Sequence, residues 1–468
     1  MRTLALICSF VCSIGFAAER PNILFLAIDD LRPEVGAYGV DRAVTPSIDE
    51  FAKTALRFHR AYVTYPLCLP SRASMLTGKR IDFKGADKGV GFEGYIERQA
   101  TWPQTFRSAG YWTATTGKIY HGNVPNVDLA AWDIPGDFWK INKDWSPEIM
   151  AKVTAEGGDA EALAAFKKSG KGGGALIWQA IDGDDDILND GRTATEAIRL
   201  LKERPSDQPF VICAGFSRPH MPWLAPKKYF DLYEDAEIDL AAIPEGNDRV
   251  VRPEDAGSGV GKNNAQWNEG VSDEEARGLI KGYLASTSYA DAQAGRILEA
   301  LDEEGLTDNT IVVIWGDHGY HLTDHGLWRK NTIYHVANRV PLLIRVPGKV
   351  AGKVTNRIVE SIDLYPTLLG LAGVDEGELQ LDGRNLTPLL DDPKTEWKHA
   401  AFISGGDSHG LVNTNYRFSM SSKRPPELYD LKADPDEWTN LAQDPAHTES
   451  VQQFSQKVRR VWKLQAKP

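Results

Sequence analysis

This chain has no excess of positive charge. Its 53 lysines and arginines are outnumbered by 65 aspartates and glutamates, which gives a formal net charge of -12 at pH 7. Nucleic acid is therefore excluded as a partner, because phosphate binding needs a clustered basic surface. The overall field would also repel a long polyanion, so an anionic substrate must be caught in a locally basic pocket.

Apolar runs long enough to cross a membrane are also missing. The apolar run 4–16 follows Met1-Arg2 and is succeeded by Ala17 and Ala18, a pattern typical of a secretory signal peptide, which we predict to span residues 1–17. No later run approaches the roughly 20 apolar residues that a membrane helix needs. Cys12 lacks the preceding small residue of a lipoprotein site. We therefore expect a soluble protein without a transmembrane segment, exported to a periplasm or secreted.

Cysteine is scarce, with four residues in the whole chain. Cys8 and Cys12 lie within the predicted signal peptide, so only Cys68 and Cys213 remain after it. The mature chain therefore has cysteines for at most one disulfide. A pairing of Cys68 with Cys213 is one open interpretation, because an oxidising compartment normally joins two such thiols.

Four apolar runs predict buried parallel strands, since a strand covered on both faces is apolar throughout. They are residues 22–28, 111–116, 210–216 and 310–315. Helical patterns alternate with them. Ser272 and Glu275 form a capping box for a helix that runs towards Gly305, with room for one break, and Asp363 with Pro366 opens another helix. This alternation predicts an α/β fold with a mostly parallel sheet between helices.

The pattern changes near residue 396. Shorter runs at 400–404, 411–419 and 427–431 predict a small antiparallel subdomain. A chain of 468 residues exceeds one hydrophobic core, which favours a large domain at 18–395 and a companion at 396–468. Segments 121–174 and 245–270 show no regular pattern, and long irregular segments inside domains are usually functional loops.

Chemically active residues follow the predicted strands. Asp29-Asp30 follow the first strand, Lys118 and His121 the second, His220 the third, and Asp317-His318 the fourth. Each alone is typical of a solvated loop. Ligands of open α/β sheets, however, bind outside the carboxyl ends of the strands. The sequence therefore predicts one site that these segments share.

The segment 68–78 predicts a helix with a reactive residue at its start. Pro70 suits the first turn and Gly78 the end, so Cys68 lies at the N-terminus, where free amides favour anions. Arg72 follows one turn later on the same face. A guanidinium donates two parallel hydrogen bonds to an oxyanion. A nucleophile and an arginine would thus flank one anion.

This segment resembles the signature of the sulfatase family, Cys-x-Pro-Ser-Arg followed by Leu-Thr-Gly. The resemblance covers most of the chain and is closest to the iduronate-2-sulfatase-like branch. Further motifs that carry it are Arg20-Pro-Asn-Ile23, Asp30-Leu-Arg-Pro33, Thr45-Pro-Ser-Ile-Asp49, Gly117-Lys-Ile-Tyr-His121, Arg218-Pro-His-Met-Pro222, Trp315-Gly-Asp-His-Gly-Tyr-His321, Gly326-Leu-Trp-Arg-Lys330, Asp363-Leu-Tyr-Pro-Thr367 and Glu427-Leu-Tyr-Asp-Leu431. It implies an alkaline-phosphatase-like α/β fold with a small C-terminal antiparallel sheet.

The resemblance also implies a mechanism. In that family a maturation enzyme oxidises the cysteine, here Cys68, to formylglycine (3-oxoalanine), whose aldehyde hydrates to a geminal diol. One hydroxyl attacks sulfur and the other lets the sulfate ester collapse to the aldehyde, whereas a nucleophile with a single hydroxyl or thiol would stay sulfated. The implied substrate is a sulfated carbohydrate.

Roles carried over by position complete the expectation. The ligands of one calcium ion would be Asp29, Asp30, Asp317, His318 and the oxidised residue 68, because mostly carboxylate oxygen suits calcium better than zinc. Arg72, Lys118 and Lys330 would neutralise sulfate charge, His121 would act as a base, and His220 would protonate the leaving alcohol.

Two rival functions remain open at this point. One is a phosphate or phosphonate monoester hydrolase of the same superfamily, and the other is an inactive carbohydrate-binding relative. Among the remaining candidates, His321, His325 and His335 are interpreted as loop residues or substrate contacts. Trp223 and the tryptophans between 132 and 145 are candidates for stacking on sugars.

Overall fold

A computed structural model describes residues 20–83, 85, 87–121, 128–136, 144, 146–155, 178–234, 236–244, 265–267 and 271–464. The predicted signal peptide at 1–17 lies outside these residues, as do Trp139, Trp145 and most of segment 245–270. Within the described ranges, no helix combines the length and the apolar character needed to cross a membrane.

The strands and helices alternate through the first three quarters of the chain. In chain order the strands are β1 (Asn22–Ile28), β2 (Leu56–Tyr62), β3 (Trp112–Gly117), β4 (Trp178–Ile181), β5 (Phe210–Phe216), β6 (Trp223–Pro226), β7 (Ala265–Trp267), β8 (Thr310–Gly316), β9 (His321–Leu322), β10 (Leu327–Arg329), β11 (Arg339–Val340), β12 (Leu342–Arg345), β13 (Lys353–Glu360), β14 (Ala401–Gly405), β15 (Ser408–Val412), β16 (Tyr416–Ser421) and β17 (Glu427–Asp430). The α-helices are α1 (Pro46–Ala52), α2 (Cys68–Thr77), α3 (Phe92–Arg98), α4 (Trp102–Ser108), α5 (Pro147–Ala155), α6 (Asn189–Glu203), α7 (Lys227–Asp231), α8 (Asp273–Glu303), α9 (His335–Asn338), α10 (Leu364–Ala372), α11 (Thr387–Asp391) and α12 (Thr448–Val461).

A mixed, mostly parallel sheet forms the centre of the fold. Its order is β11-β2-β12-β8-β1-β5-β3, with β13 parallel to β2. Strands β8, β1, β5 and β3 run parallel, and β12 is antiparallel to both of its neighbours. The predicted α/β class with a C-terminal antiparallel sheet is confirmed.

Helices cover both faces of this sheet, which explains why its central strands are apolar throughout. Ile23, Phe25 and Ala27 of β1 pack into a core that includes residues of α2, α4 and α10. Leu24, Leu26 and Ile28 pack into the opposite core with residues of α6 and α8. Because side chains alternate along a strand, a single strand supplies both cores.

The long helix α8 begins where its capping box predicts. The Ser272 side chain accepts from the Glu275 N–H, and the Glu275 side chain accepts from the Ser272 N–H. The helix then continues for 31 residues without the break that the sequence allowed. The second predicted helix, α10, begins at Leu364 with Asp363 at its N-cap position, as expected, and a 3-10 turn at Ser361–Asp363 leads into it.

The C-terminal sheet contains β14, β15, β16 and β17 in antiparallel order, with α12 packed against it. The prediction of a single strand over 411–419 is wrong. Residues 413–415 form a turn between β15 and β16, in which the Asn413 side chain accepts from the N–H groups of Asn415 and Tyr416. An asparagine that bonds its own downstream backbone favours a turn over a continued strand.

The two described cysteines are not paired. Cys68 and Cys213 are both buried and free. Cys213 lies in β5 beside Phe25 of β1 and belongs to the first core, so it is a packing residue. Burial in these apolar surroundings raises the pKa of its thiol well above the usual range. The disulfide interpretation of Cys68 is therefore wrong.

We expect the substitution Cys213→Ser to lower stability by about 1–3 kcal/mol, because it buries a hydroxyl in an apolar core. Chemical denaturation of the variant and the parent chain measures this difference. A reducing agent should leave the parent unchanged. A marked loss of stability on reduction would contradict the free thiols.

Candidate active site

Four parallel strands end beside one another and place the candidate residues at one edge of the sheet. In the order β8, β1, β5, β3, these strands are followed by Asp317, Asp29, the turn at 217–220 and Lys118. The main chain joins these ends, since the Asp29 N–H donates to the Phe216 carbonyl and the Asp317 N–H to the Ile28 carbonyl, both at 3.2 Å. The sheet therefore brings together segments that lie far apart in the sequence.

A close approach of β3 and β5 determines the position of Lys118. Gly117 has a φ of 66°, a conformation that residues with a Cβ rarely adopt. A Cβ there would lie 2.1 Å from the Gly215 carbonyl oxygen. The Lys118 N–H donates to that same oxygen at 2.7 Å. A larger residue at 117 would displace the lysine from the sheet edge.

Cys68 is the first residue of helix α2, as the positions of Pro70 and Gly78 predict. Leu67 precedes the helix without a side-chain cap, and Gly78 ends it in the left-handed conformation. Because no side chain caps the first turn, its amides and the helix dipole favour an anion beside Cys68.

The Cys68 sulfur faces cations and metal-type ligands. Its Sγ lies 3.3 Å from His318 Nε2 and 4.0 Å from Asp30 Oδ1, and Lys330 Nζ donates to it at 3.4 Å. Burial and Asp29 raise the pKa of this thiol, but Lys330, Lys118 and His318 together hold the pKa well below its usual range. The surroundings of residue 68 thus favour negative charge.

Arg72 lies one turn after Cys68 and is fully buried. Its guanidinium donates to Asp317 Oδ2 at 2.8 Å and to Asp29 Oδ1 at 3.2 Å. It also donates to the carbonyl oxygens of Lys118 and Ile119. Arg72 therefore orients two carboxylates and the Lys118 loop in this structure, in addition to supplying a positive charge.

Lysines neutralise the remaining carboxylate charge. Lys118 forms an ion pair with Asp29, and Lys330 forms one with Asp30. Both pairs are largely buried, so water screens them little. Three carboxylates and three cations are thus gathered around Cys68, and their formal charges cancel.

Asp30 adopts a strained backbone conformation that its neighbours hold. Its φ is 61°, which is uncommon for a residue with a Cβ and is maintained where surrounding structure demands it. The Asp30 N–H donates to Asp317 Oδ1 at 2.9 Å, and the Tyr283 hydroxyl donates to the Asp30 carbonyl at 2.9 Å. Tyr283 was missed at the sequence level, because a tyrosine inside a long helix carries no signal for this contact.

The residues fit a divalent cation. Ligand atoms of Asp29, Cys68, Asp317 and His318 lie within 4.8 Å of one another, and a second such group contains Asp29, Asp30, Cys68 and His220. The buried Asp30 Oδ2 has no hydrogen-bond partner among the described residues. Burial and the charge of Asp29 raise the pKa of Asp317. A cation would satisfy the free oxygen and relieve this repulsion.

Of the two candidate catalytic histidines, His220 joins the cluster. Its Nδ1 lies 2.6 Å from the Met221 carbonyl oxygen, so that nitrogen carries a proton and Nε2 is free for the site. His121 lies three residues after Lys118 and is half-buried, and its Nδ1 is enclosed without a partner in the described part of the chain.

The other histidines have different surroundings. His321 is buried and connects Thr332 Oγ1 at 2.7 Å with the Asp324 carbonyl at 3.1 Å. His325 stacks on Tyr334 with ring centroids 4.0 Å apart. His325 and His335 line a separate cavity of about 370 Å³, whose described lining contains none of the candidate catalytic residues. Because both of its ring nitrogens are bonded within the same loop, His321 is a structural residue of the loop that carries Lys330.

Two tryptophans predicted as sugar platforms are packed instead. Trp223 is fully buried in a core with Tyr283 and Trp328, so that prediction is wrong. Trp132 is also buried and donates to the Tyr120 hydroxyl at 2.7 Å. Their bulk makes them better core residues than exposed platforms in this fold.

The chain is similar to known proteins over most of its length. Residues 21–374 match the family described as Sulfatase, and residues 323–464 match the family described as N-sulphoglucosamine sulphohydrolase, C-terminal. The chain is 31% identical to iduronate 2-sulfatase of Mus musculus over 399 residues, covering 76% of this chain and 70% of that protein. It is 29% identical to a sulfatase of Formosa agariphila over 448 residues, covering 91% of this chain and 83% of that protein.

A solved structure shares the fold over nearly the whole chain. It is the phosphonate monoester hydrolase of Agrobacterium radiobacter, with a TM-score of 0.74, 21% identity, and coverage of 95% of this chain and 96% of that chain. At this level of identity the likeness concerns the arrangement of strands and helices.

Proposed function

This chain belongs to the sulfatase family of sulfuric ester hydrolases, and we propose that it removes sulfate from a sulfated sugar through a formylglycine made from Cys68. The observation that carries the proposal is the position of Cys68 at the start of α2, with His318 and Lys330 3.3 Å and 3.4 Å from its sulfur. The names iduronate 2-sulfatase and N-sulphoglucosamine sulphohydrolase, carried by a relative and a matching family, favour a sulfated sugar.

Oxidation of Cys68 by a maturation enzyme is the first condition of this proposal. The hydrated aldehyde supplies two hydroxyl groups on one carbon, of which one can attack sulfur and the other can release the sulfate. The helix N-terminus and Lys330 stabilise negative charge on whichever oxygen attacks. A chain produced without the maturation enzyme should fold and remain nearly inactive.

A calcium ion is the second condition. Asp29, Asp30, Asp317, His318 and the oxidised residue 68 would hold it, and it would polarise the sulfate and lower the pKa of the attacking hydroxyl. Because the three carboxylates are already balanced by three cations, the ion would leave the site positively charged. The positively charged site would then attract an anionic substrate, although the chain as a whole is acidic.

The remaining residues hold charge and move protons. Lys118 and Lys330 would neutralise sulfate oxygens, and Arg72 would add positive charge while it orients Asp29 and Asp317. His220, with its Nδ1 bonded to Met221, presents Nε2 for donation of a proton to the leaving alcohol. His121 would serve as the base when the sulfate is released.

The rival function is hydrolysis of phosphate or phosphonate monoesters. It is a rival because a protein named as a phosphonate monoester hydrolase, from Agrobacterium radiobacter, shares this fold. We expect kcat/KM for 4-nitrophenyl sulfate to exceed that for 4-nitrophenyl phosphate by at least about tenfold, or ~1.4 kcal/mol of transition-state stabilisation. Both rates are measured on the same preparation of oxidised enzyme. Faster phosphate cleavage would replace the proposed function by its rival, and no turnover of either ester would favour the inactive relative.

We also propose that residues 1–17 are removed as a signal peptide, and that residues 18–395 and 396–468 form the catalytic domain and its C-terminal subdomain, in an exported protein. The mass of the mature chain isolated from its host tests the first of these.

A further inference from the structure

The loop that carries His220 is fastened by one buried arginine. This loop runs from Ser217 at the end of β5 to Leu224 in β6 and includes Arg218, a side chain only 4% exposed. The Arg218 Nε donates to the Leu224 carbonyl at 3.0 Å, and its Nη1 donates to the His220 carbonyl at 3.1 Å. A single guanidinium therefore bonds both the main chain of the histidine and the far end of its loop.

Acidic residues from two other segments hold this arginine and the start of its loop. Arg218 Nη2 donates to Asp144 Oδ2 at 2.6 Å, and Asp144 Oδ1 accepts from the Asn189 N–H at 2.7 Å. The two oxygens of Asp190 accept from the N–H groups of Ser217 and Arg218, each at 2.8 Å. All of these polar groups are buried, so none can exchange its partner for water without a penalty.

The histidine itself has little else to hold it. Its ring makes one hydrogen bond among the described residues, from Nδ1 to the neighbouring Met221 carbonyl at 2.6 Å. That bond sets the tautomer and the ring plane relative to the loop. The position of Nε2 at the cluster therefore depends on the position of the loop backbone.

We propose that Arg218 is a positioning residue for His220, which places Nε2 where it can protonate the leaving alcohol. This inference rests on the function proposed above. Lysine cannot replace arginine in the role, because one ammonium on a flexible stem does not reproduce three donors in a fixed plane. Arg218 need not contact the substrate for this effect, since a small misplacement of an acid reduces its contribution to the rate.

The test compares substrates that differ in their need for an acid. A series of aryl sulfates is used, from 4-nitrophenyl sulfate, whose phenol leaves without help, to phenyl sulfate, whose phenol needs a proton. For Arg218→Lys we expect kcat to fall by about 10–100-fold with phenyl sulfate and by less than about threefold with 4-nitrophenyl sulfate. His220→Ala should give the same steep dependence on leaving-group pKa, and the double variant should lose no more than His220→Ala.

The control is Arg296→Lys on helix α8. Arg296, unlike Arg218, is only partly buried. It bonds Asp186, the Gly191 carbonyl and Thr195, and in the described structure it donates no hydrogen bond to the 217–224 loop. Arg296→Lys should therefore lower kcat with phenyl sulfate and with 4-nitrophenyl sulfate by the same factor, or should change neither. The ratio of the two rates does not depend on how much enzyme is folded, so partial misfolding cannot imitate the expected result.

The outcomes separate the inference from the proposed function. Wild-type enzyme that cleaves no sulfate would overturn both. If wild type is active and His220→Ala steepens the dependence while Arg218→Lys does not, the positioning role fails and the function stands. If neither variant steepens the dependence of kcat on leaving-group pKa, His220 is not the acid and there is nothing for Arg218 to position.

Asp144→Asn should steepen the same dependence less than Arg218→Lys does, because it weakens the hydrogen bond that holds Arg218 Nη2.

Discussion

Replacement of Cys68 by alanine should abolish sulfate ester hydrolysis, with a loss of at least about 10³-fold in kcat, and leave the fold intact. The side chain is small, and its polar contacts include His318, Lys330 and Asp30, so alanine removes the reactive atom without opening a large cavity. Turnover of an aryl sulfate measures the loss, and thermal denaturation measures the fold. The serine variant should accept sulfate once and retain it, because it lacks the second hydroxyl, and mass spectrometry would detect the sulfated chain.

The control for this experiment is the other buried thiol. Cys213→Ser should keep its turnover, because Cys213 lies within the sheet core, beside Phe25 of β1 and Thr115 of β3. Mass spectrometry of the peptide that contains residue 68 should show an aldehyde in active wild-type enzyme. Full activity in a chain whose Cys68 remains an unmodified thiol would overturn the mechanism.

Removal of the divalent ion should produce the second largest effect. We expect a chelator to reduce turnover by at least about 10²-fold and calcium to restore it. Calcium should also raise the thermal midpoint, since a ligand at 100 times its Kd stabilises the folded state by about 2.7 kcal/mol. The substitution Asp30→Asn should weaken both responses, because it removes the carboxylate whose Oδ2 has no partner in the described structure.

A buried acid elsewhere provides the matched control. Asp291 on α8 accepts from the N–H groups of Ser47 and Ile48 and is equally enclosed. Asp291→Asn should lower stability, because the carboxylate binds two amides, but the shift of the thermal midpoint with calcium should be unchanged. A calcium response that is the same in Asp30→Asn and in wild type would show that the ion is not bound at this cluster.

Much of the fold could be predicted because its central strands are covered on both faces. Such strands are apolar from end to end, as in β1, β5 and β8, and each is followed at once by polar residues. The short strands β11 and β12 could not be predicted in this way. They contain two and four residues, and their antiparallel insertion beside β2 and β8 depends on pairing partners far away in the chain.

In the candidate site, too, some residues could be identified from the sequence, whereas their contacts with distant segments could not. Asp29, Asp317 and Lys118 were identifiable from their places after apolar runs, and Cys68 from the Pro70 and Gly78 that bound its helix. The partners of Arg72 were not identifiable, because its guanidinium turns to carboxylates 43 and 245 residues away. Asp144 in the irregular segment 121–174 and Asp190 in the first turn of α6 were missed for the same reason, since neither carries a local sign of the distant Arg218 loop that it will bind.

The sequence by itself determined the chemistry available to this protein: a cysteine at a helix start, carboxylates and histidines after buried strands, and lysines to neutralise an anion. These are local properties, set by residue type, by the alternation of side chains and by the conformations of proline and glycine. Only the tertiary structure decided which of these groups face one another. It separated Cys68 from Cys213, directed Arg72 to Asp29 and Asp317, and fastened the His220 loop through Arg218. The physical reason is that such contacts join distant segments, and their energy exists only when the sheet has brought those segments together.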